Sequence, residues 1–498
     1  MTVERPASST SEPAEHPDRS GARPPAFARP DAEAAWRPGP ELLAEARLAG
    51  LVARARETDL DALQARAERD PAWFWGLAAD DLGIAWQRPP TRVLDTSAGI
   101  AFARWWVGGA FNHAAASTEP WATGAPTAEA LAWESEDGSV RRLTFSELDR
   151  EVRRAAAMLA SHGIGAGSRV AIFLPMLPET VLAVLALGRL RAVFTPIFSG
   201  YAAHAVATRL RAFEATHVIT ADGFLRRGRP VPMKAVADEA VASSPTVQRT
   251  IVVRRLGTLA SPEAGGAAPF DRDRDAWWDE GLPRLDQVPT VPAPQTDPET
   301  PYMVIYTSGT TGEPKGTVHV HGGFPIKAAE DLAYTFDLRR GDALFWFTDL
   351  GWMMGPWAIS GALLLGARLV LYEGAPDFPD SGRLWAVASR HRATHLGVSP
   401  TLVRALLVHG EAPVREHDLS SLRVLGSTGE PWNPDPWRWF FETVGGGRLP
   451  IVNYSGGTEV SGGILGATPV RPIRPTSFNG PCVGMAADVV DAEGATIV

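Results

Sequence analysis

Between Thr307 and Gly316 the chain reads Thr-Ser-Gly-Thr-Thr-Gly-Glu-Pro-Lys-Gly, with four hydroxyls and three glycines in ten residues. Such a loop lets backbone amides approach a polyphosphate closely, and Lys315 adds a point charge for its oxygens. The spacing is not that of a Walker loop, where lysine precedes Ser or Thr; here Gly316 follows Lys315. A plain Ser/Thr/Gly surface turn is the competing reading. Two features weigh against it: the apolar run Met303–Tyr306 just before the loop, and the rarity of lysine. Of the 48 basic residues only Lys234, Lys315 and Lys327 are lysines, so a merely solvated position would carry arginine. Further along, Thr458 and Glu459 follow Gly456 and Gly457. A carboxylate there suits a hard cation, although a lone Glu459 would read as a solvated or capping acid. His319 and His321 alternate on an expected strand and, with no third ligand nearby in sequence, read as structural rather than metal-binding. No Gly-x-Ser-x-Gly occurs, so a hydrolase elbow has no support.

The background is that of a globular protein. The 498 residues predict two to four compact units, and 45% hydrophobic with 21% charged residues excludes wholesale disorder. A net charge of −9 with no long basic run argues against a nucleic-acid surface. Cys482 is the single cysteine, which excludes an internal disulfide framework or a multi-cysteine metal site and fits a cytoplasmic setting. The proline-rich residues 1–40 read as a disordered tail rather than a targeting peptide. Gly351 to Ala367 is uncharged but too short and too glycine-rich to span a membrane, and is expected to be a buried helix behind a functional loop.

These residues need elements to hold them. Residues 41–133 are helical in pattern and rich in tryptophan, an accessory layer. From Leu143 strands and helices alternate. Thr144-Phe-Ser-Glu147 is a capping box; Leu148, Val152, Ala155 and Leu159 share one helical face, and Gly163 stands at the left-handed C-cap. Short apolar strands are expected at Val170–Leu174, Ala192–Phe198, Ala343–Phe347, Arg368–Leu371, His395–Val398 and Arg423–Gly426, with a helix at Glu179–Leu190. Buried strands separated by helices imply an α/β fold with parallel strands and ligand sites on loops at strand ends. Ser261–Pro301 reads as a Pro/Asp-rich surface connector.

In order and spacing these motifs resemble the adenylate-forming superfamily of acyl-CoA synthetases, luciferases and peptide-synthetase adenylation domains. Thr307–Gly316 looks like its phosphate loop and Gly426-Ser-Thr-Gly-Glu-Pro431 like its adenine-side loop. Asn453-Tyr-Ser-Gly-Gly-Thr-Glu459 is similar to the segment whose Thr-Glu pair contacts the α-phosphate and magnesium. Phe347-Thr-Asp-Leu-Gly-Trp352 is similar to the loop whose aromatic residue gates the acyl tunnel. Tyr372-Glu-Gly-Ala-Pro-Asp377 and Phe224-Leu-Arg-Arg-Gly-Arg229 look specifically like the acetyl-CoA synthetase branch, and the resemblance runs from about Trp73 onward. It implies a large adenylate-forming domain of stacked αβ subdomains with an incomplete β subdomain at the C-terminus, covering 134–498 behind the accessory region. The implied activity is an AMP-forming carboxylic acid–CoA ligase using ATP, Mg²⁺ and CoA. Lys315, Thr458 and Glu459 would be catalytic, with Glu459 on the metal. ATP would meet Thr307, Ser308, Gly309, Thr310, Thr311, Gly312, Gly429, Glu430, Pro431, Asn453, Tyr454, Ser455, Gly456, Gly457 and Thr458. The acyl pocket would involve Trp352, Met353, Met354, Thr428 and Gly456. Arg226, Arg229 and Asp377 would face CoA.

The chemistry agrees. A carboxylate is a poor electrophile, and its attack on the α-phosphate of ATP expels pyrophosphate and leaves a mixed anhydride that a thiol can attack. Hydroxyls, amides, a lysine and Mg²⁺ around the phosphates stabilise the spreading charge. The sequence departs from the acetyl-CoA synthetase pattern where two adjacent tryptophans become Ser455 and Gly456. Loss of the second indole implies room for a short- to medium-chain acid, and Tyr454 is expected to replace the lost adenine stacking. Residues 489–498 read as a hairpin barely begun, so the chain is expected to lack the lid domain with its lysine. A domain that loads a carrier-protein thiol and a catalytically silent nucleotide-binding fragment remain alternatives.

Overall fold

The structure, a computed structural model, describes residues 34–257, 270–288, 290–307 and 314–497. Ser308, Gly309, Thr310, Thr311 and Gly312 therefore lie outside the described residues, as do 1–33 of the expected tail and part of the connector. The remainder of that tail is structured. Trp36 is buried, pairs with Ile473 and donates from its indole to the Arg448 carbonyl, and a helix begins at Pro40.

Among the described residues two large sheets dominate, one of nine strands and one of seven. The nine-stranded sheet has a parallel centre: Glu129–Ser135, Arg368–Glu373, Ala343–Trp346, His395–Val398, Val424–Ser427 and Ile451–Gly457 lie side by side. Antiparallel strands extend it past Ile451–Gly457, through Gly462–Gly466 and Gly480–Pro481. The seven-stranded sheet is parallel from Asp275–Trp277 to Pro301–Thr307 and closes on the antiparallel Lys315–Val320. Strand Glu129–Ser135 runs across the expected boundary between Trp133 and Glu134.

The expected elements form for the reasons their sequences give. Helix Phe145–Ser161 carries the capping box: Thr144 Oγ1 accepts from the Glu147 amide at 3.2 Å and Glu147 Oε2 accepts from the Thr144 amide at 2.8 Å. Gly163 takes φ +85° just beyond it. Helix Met354–Leu364 is apolar all round, and helix Pro178–Leu190 is uncharged between Glu179 and Arg189 at its two ends; both are packed inside the protein. Among the described residues no helix is long and apolar enough to cross a membrane.

The connector holds more than a surface excursion. Asp275–Trp277 is an edge strand paired with Arg249–Val253, held by Asp275 Oδ2 accepting from Lys234 Nζ at 2.7 Å. The described residues divide into two units, of which 34–487 is one and 488–497 belong to the other. Within the latter Val490 pairs with Thr496, and Asp491 Oδ1 accepts from the Glu493 and Ala495 amides, the hairpin expected there.

Candidate functional site

Parallel strands in register end together, so the loops that follow them share one rim. Trp346 pairs with Gly397, Val398 with Ser427 and Ser427 with Asn453. The gate loop after Trp346, the Thr428–Pro431 loop and the Thr458–Glu459 turn consequently leave from the same edge. Trp346 lies across this edge: a Cβ on Gly397 would stand 2.1 Å from its indole, so only glycine admits the ring there. Thr428 is half-buried at the rim and Gly429 is exposed with φ +103°. Glu430 is turned away from the opening, one oxygen accepting from the Thr401 amide at 2.7 Å and the other pairing with Arg404.

The seven-stranded sheet supplies the opposite wall. Thr307 ends strand Pro301–Thr307 and pairs directly with Lys315, the first residue of the antiparallel strand Lys315–Val320. The Lys315 side chain is exposed, with no hydrogen bond or ion pair to the described residues, whereas Lys234 and Lys327 are both buried in ion pairs. Glu459 is likewise exposed and unpaired among the described residues. The two walls are joined by His319 on the Lys315–Val320 strand. Its Nδ1 lies 3.1 Å from the Ser461 hydroxyl, at the end of the Thr458–Ser461 turn. Burial pushes His319 down to about 4, so the ring is neutral near pH 7.

Below the turn lies a buried ionic cluster that sequence reasoning missed. Lys327 Nζ donates to Glu330 Oε2 and Asp331 Oδ1, both at 2.7 Å. Burial alone would lower the lysine, but the charges of Asp331 and Glu330 outweigh it and hold Lys327 above its ordinary value. Asp331 Oδ2 then accepts from the Tyr454 hydroxyl at 2.6 Å and the Gly463 amide at 3.2 Å, tying together both strands that flank the turn. The rarity of lysine was the available signal for Lys327; nothing local marked Asp331.

Two expectations fail here. Tyr454 is 2% exposed, packed against Phe336 and Trp357 with its hydroxyl on Asp331, so it cannot stack on an adenine in the opening. The Ile451–Gly457 strand turns that side chain into the core and leaves Ser455 outside. Nor does Gly456 border a vacated indole space. A Cβ there would meet the Gly462 carbonyl oxygen at 1.8 Å, because the neighbouring strand occupies that position.

The gate loop is held from both sheets. Asp349, also missed in the sequence, accepts from the Ser199 hydroxyl at 2.5 Å and the Gly351 amide at 2.8 Å. Burial pushes its carboxyl up to about 6, against the pull of those bonds. Trp352 is 54% exposed beside Phe198, Met353 is half-buried, and Met354 is buried at the head of helix Met354–Leu364.

Farther along the rim, strands Phe224–Arg226 and Arg229–Val231 form a hairpin bearing Arg226, Arg227 and Arg229, all exposed. Arg226 donates to the Gly374 carbonyl at 3.0 Å. Asp377 is taken by Arg227, whose Nη2 donates to both carboxylate oxygens at 2.8 and 2.9 Å, a partner the sequence reading passed over. Glu136 braces both loops, accepting from the Gly228 amide at 2.6 Å and the Ala375 amide at 2.7 Å.

The rim fits the groups its chemistry implies. Magnesium is commonly held by one or two carboxylates plus phosphate oxygens and water. Glu459 offers one uncommitted carboxylate beside the turn, and among the described residues no cluster of three metal-ligating side chains competes with it. The open space beside Gly429, where a Cβ would meet nothing within 4 Å, suits close approach of a flat base.

Known proteins resemble this chain along most of its length. The AMP-binding enzyme family matches residues 118–498, and the acetyl-coenzyme A synthetase N-terminus family matches residues 60–116. The acetyl-coenzyme A synthetase of Rhodopirellula baltica is 37% identical over 450 residues, 89% of this chain and 65% of that protein. The acetyl-coenzyme A synthetase of Mycobacterium tuberculosis is 40% identical over 439 residues, 87% of this chain and 65% of that protein. The chain thus spans just under two-thirds of the length of these relatives. Among solved structures, the acetoacetyl-CoA synthetase of Streptomyces lividans superposes with a TM-score of 0.85 at 30% identity, covering 93% of this chain and 71% of that one. The chain belongs to the AMP-binding enzymes, on the acetyl-coenzyme A synthetase branch.

Proposed function

We propose that this chain activates a carboxylic acid as its acyl-adenylate, as part of an AMP-forming acid–CoA ligase. The observation that carries the reading is the His319–Ser461 bond, which holds the Thr458–Glu459 turn against the strand that begins at Lys315. In this reading Lys315, Thr307 and the hydroxyls and amides of Ser308, Gly309, Thr310, Thr311 and Gly312 hold the leaving pyrophosphate. Thr458 faces the α-phosphate. Glu459 would hold Mg²⁺, which when bound neutralises charge on the phosphate oxygens. The adenine lies along Gly429, Pro431, Asn453 and Gly457, with Glu430 bracing its loop from behind.

The acid enters beside Trp352, Met353 and Thr428, and CoA is met by Arg226 and Arg229. Asp377 acts through its pair with Arg227 by fixing the hairpin. The acid is short- to medium-chain: methionines adapt to irregular apolar space, and the exposed Trp352 leaves the mouth open. The test is calorimetry of non-hydrolysable acyl-adenylate analogues on this chain. They should bind more tightly than AMP, with butyryl above acetyl, since a methylene in an apolar pocket is worth roughly 1–3 kcal/mol. Analogue binding no tighter than AMP would contradict acid activation, and an acetyl preference would contradict the chain length.

A further inference from the structure

Ser461 takes φ +63°, a left-handed conformation that costs a residue with a Cβ and that glycine would adopt freely. Serine nevertheless stands there, and its hydroxyl meets His319 Nδ1 at 3.1 Å across 142 residues of sequence. His319 is 3% exposed, its ring set edge-on against Phe324 at 4.9 Å, and its other nitrogen has no partner among the described residues. The ring is thus fixed by packing and spends its one bond on the turn.

The turn has little else. Its backbone closes with the Ser461 amide donating to the Thr458 carbonyl at 3.2 Å. Among the described residues, the bond to His319 is the turn's sole hydrogen bond from a side chain to the rest of the protein. Backbone strain kept where a side chain makes a specific cross-link marks a position whose geometry matters. We propose that Ser461 and His319 are a positioning pair that sets the distance between Thr458–Glu459 and the strand carrying Lys315, and hence the grip on Mg·ATP. The inference rests on the nucleotide reading above and adds two residues to it.

The experiment uses the whole chain, with calorimetry of Mg·ATP and of adenosine alongside thermal unfolding. Ser461→Gly relieves the backbone and removes the hydroxyl; Ser461→Ala removes the hydroxyl and keeps the strain. Both should weaken Mg·ATP about fivefold, the worth of one ordinary hydrogen bond, and leave adenosine unchanged. The alanine variant should nevertheless unfold at the lower temperature. Ser461→Asn, which tolerates the left-handed conformation and can bond the ring, should recover affinity. A glycine variant with parental Mg·ATP affinity, or affinities that follow unfolding temperature, would overturn the pair's role. Absence of Mg·ATP binding by the parent chain would overturn the nucleotide reading and this inference with it, an outcome distinct from the first two.

Discussion

Asp349 shows how a single side chain at the rim can cost stability for the sake of geometry. Its carboxyl stands at about 6 when folded against an ordinary 3.8, so between those values the folded protein keeps a proton that the unfolded chain releases. Stability therefore falls as pH rises from about 4 to about 6, by at most roughly 3 kcal/mol, and the loss is complete above that window. Asp349→Asn keeps a bond acceptor for the Gly351 amide and removes the titration. Its urea midpoint should gain on the parent's between pH 4 and pH 7, and a difference constant with pH would contradict the assignment. Asp349 was not marked by the sequence because its importance comes from Ser199, 150 residues earlier. Tyr454 was misread for a related reason. Its neighbours in sequence suggested an open strand end, but Phe336, Trp357 and Asp331 draw it inside.

Local signals did specify many elements. The capping box at Thr144 and the apolar runs at 170–174 and 395–398 folded as read, since a buried parallel strand or a capped helix is written in its own residues. Asp275–Trp277 was missed because three residues make no pattern and its support is the distant Lys234. The hairpin of strands Ile451–Gly457 and Gly462–Gly466 makes the same point more sharply. Gly456 reads in the sequence as a deleted side chain, whereas pairing shows that the backbones need the room. Gly456→Ala places a Cβ 1.8 Å from the Gly462 carbonyl and should lower the unfolding free energy by about 1–3 kcal/mol or more. Calorimetric unfolding checks this, and a parental midpoint would mean that the strands can part without cost.

Over the whole molecule, the two sheets set their loop-bearing edges against each other. Asp349 bonds Ser199 at one place, Arg255 reaches Glu373 at 2.8 Å and Ser135 at 2.5 Å at another, and His319 meets Ser461 at a third. The motifs that stand apart in sequence thus share one rim, which the order of motifs implied but only the sheet registers explain. We propose that Lys315, from one sheet, and Glu459, from the other, serve a single Mg·ATP site. The direct measurement is calorimetric affinity for ATP, with and without Mg²⁺, for the parent, Lys315→Ala, Glu459→Gln and the double variant. Lys315→Ala should cost roughly 1.5–3 kcal/mol, as expected for hydrogen bonds to charged groups. Glu459→Gln should lose the Mg²⁺-dependent part, and the double variant should depart from additivity because both groups act on the same phosphates. Parental affinity in either single variant, or strict additivity of the two losses, would contradict a shared site.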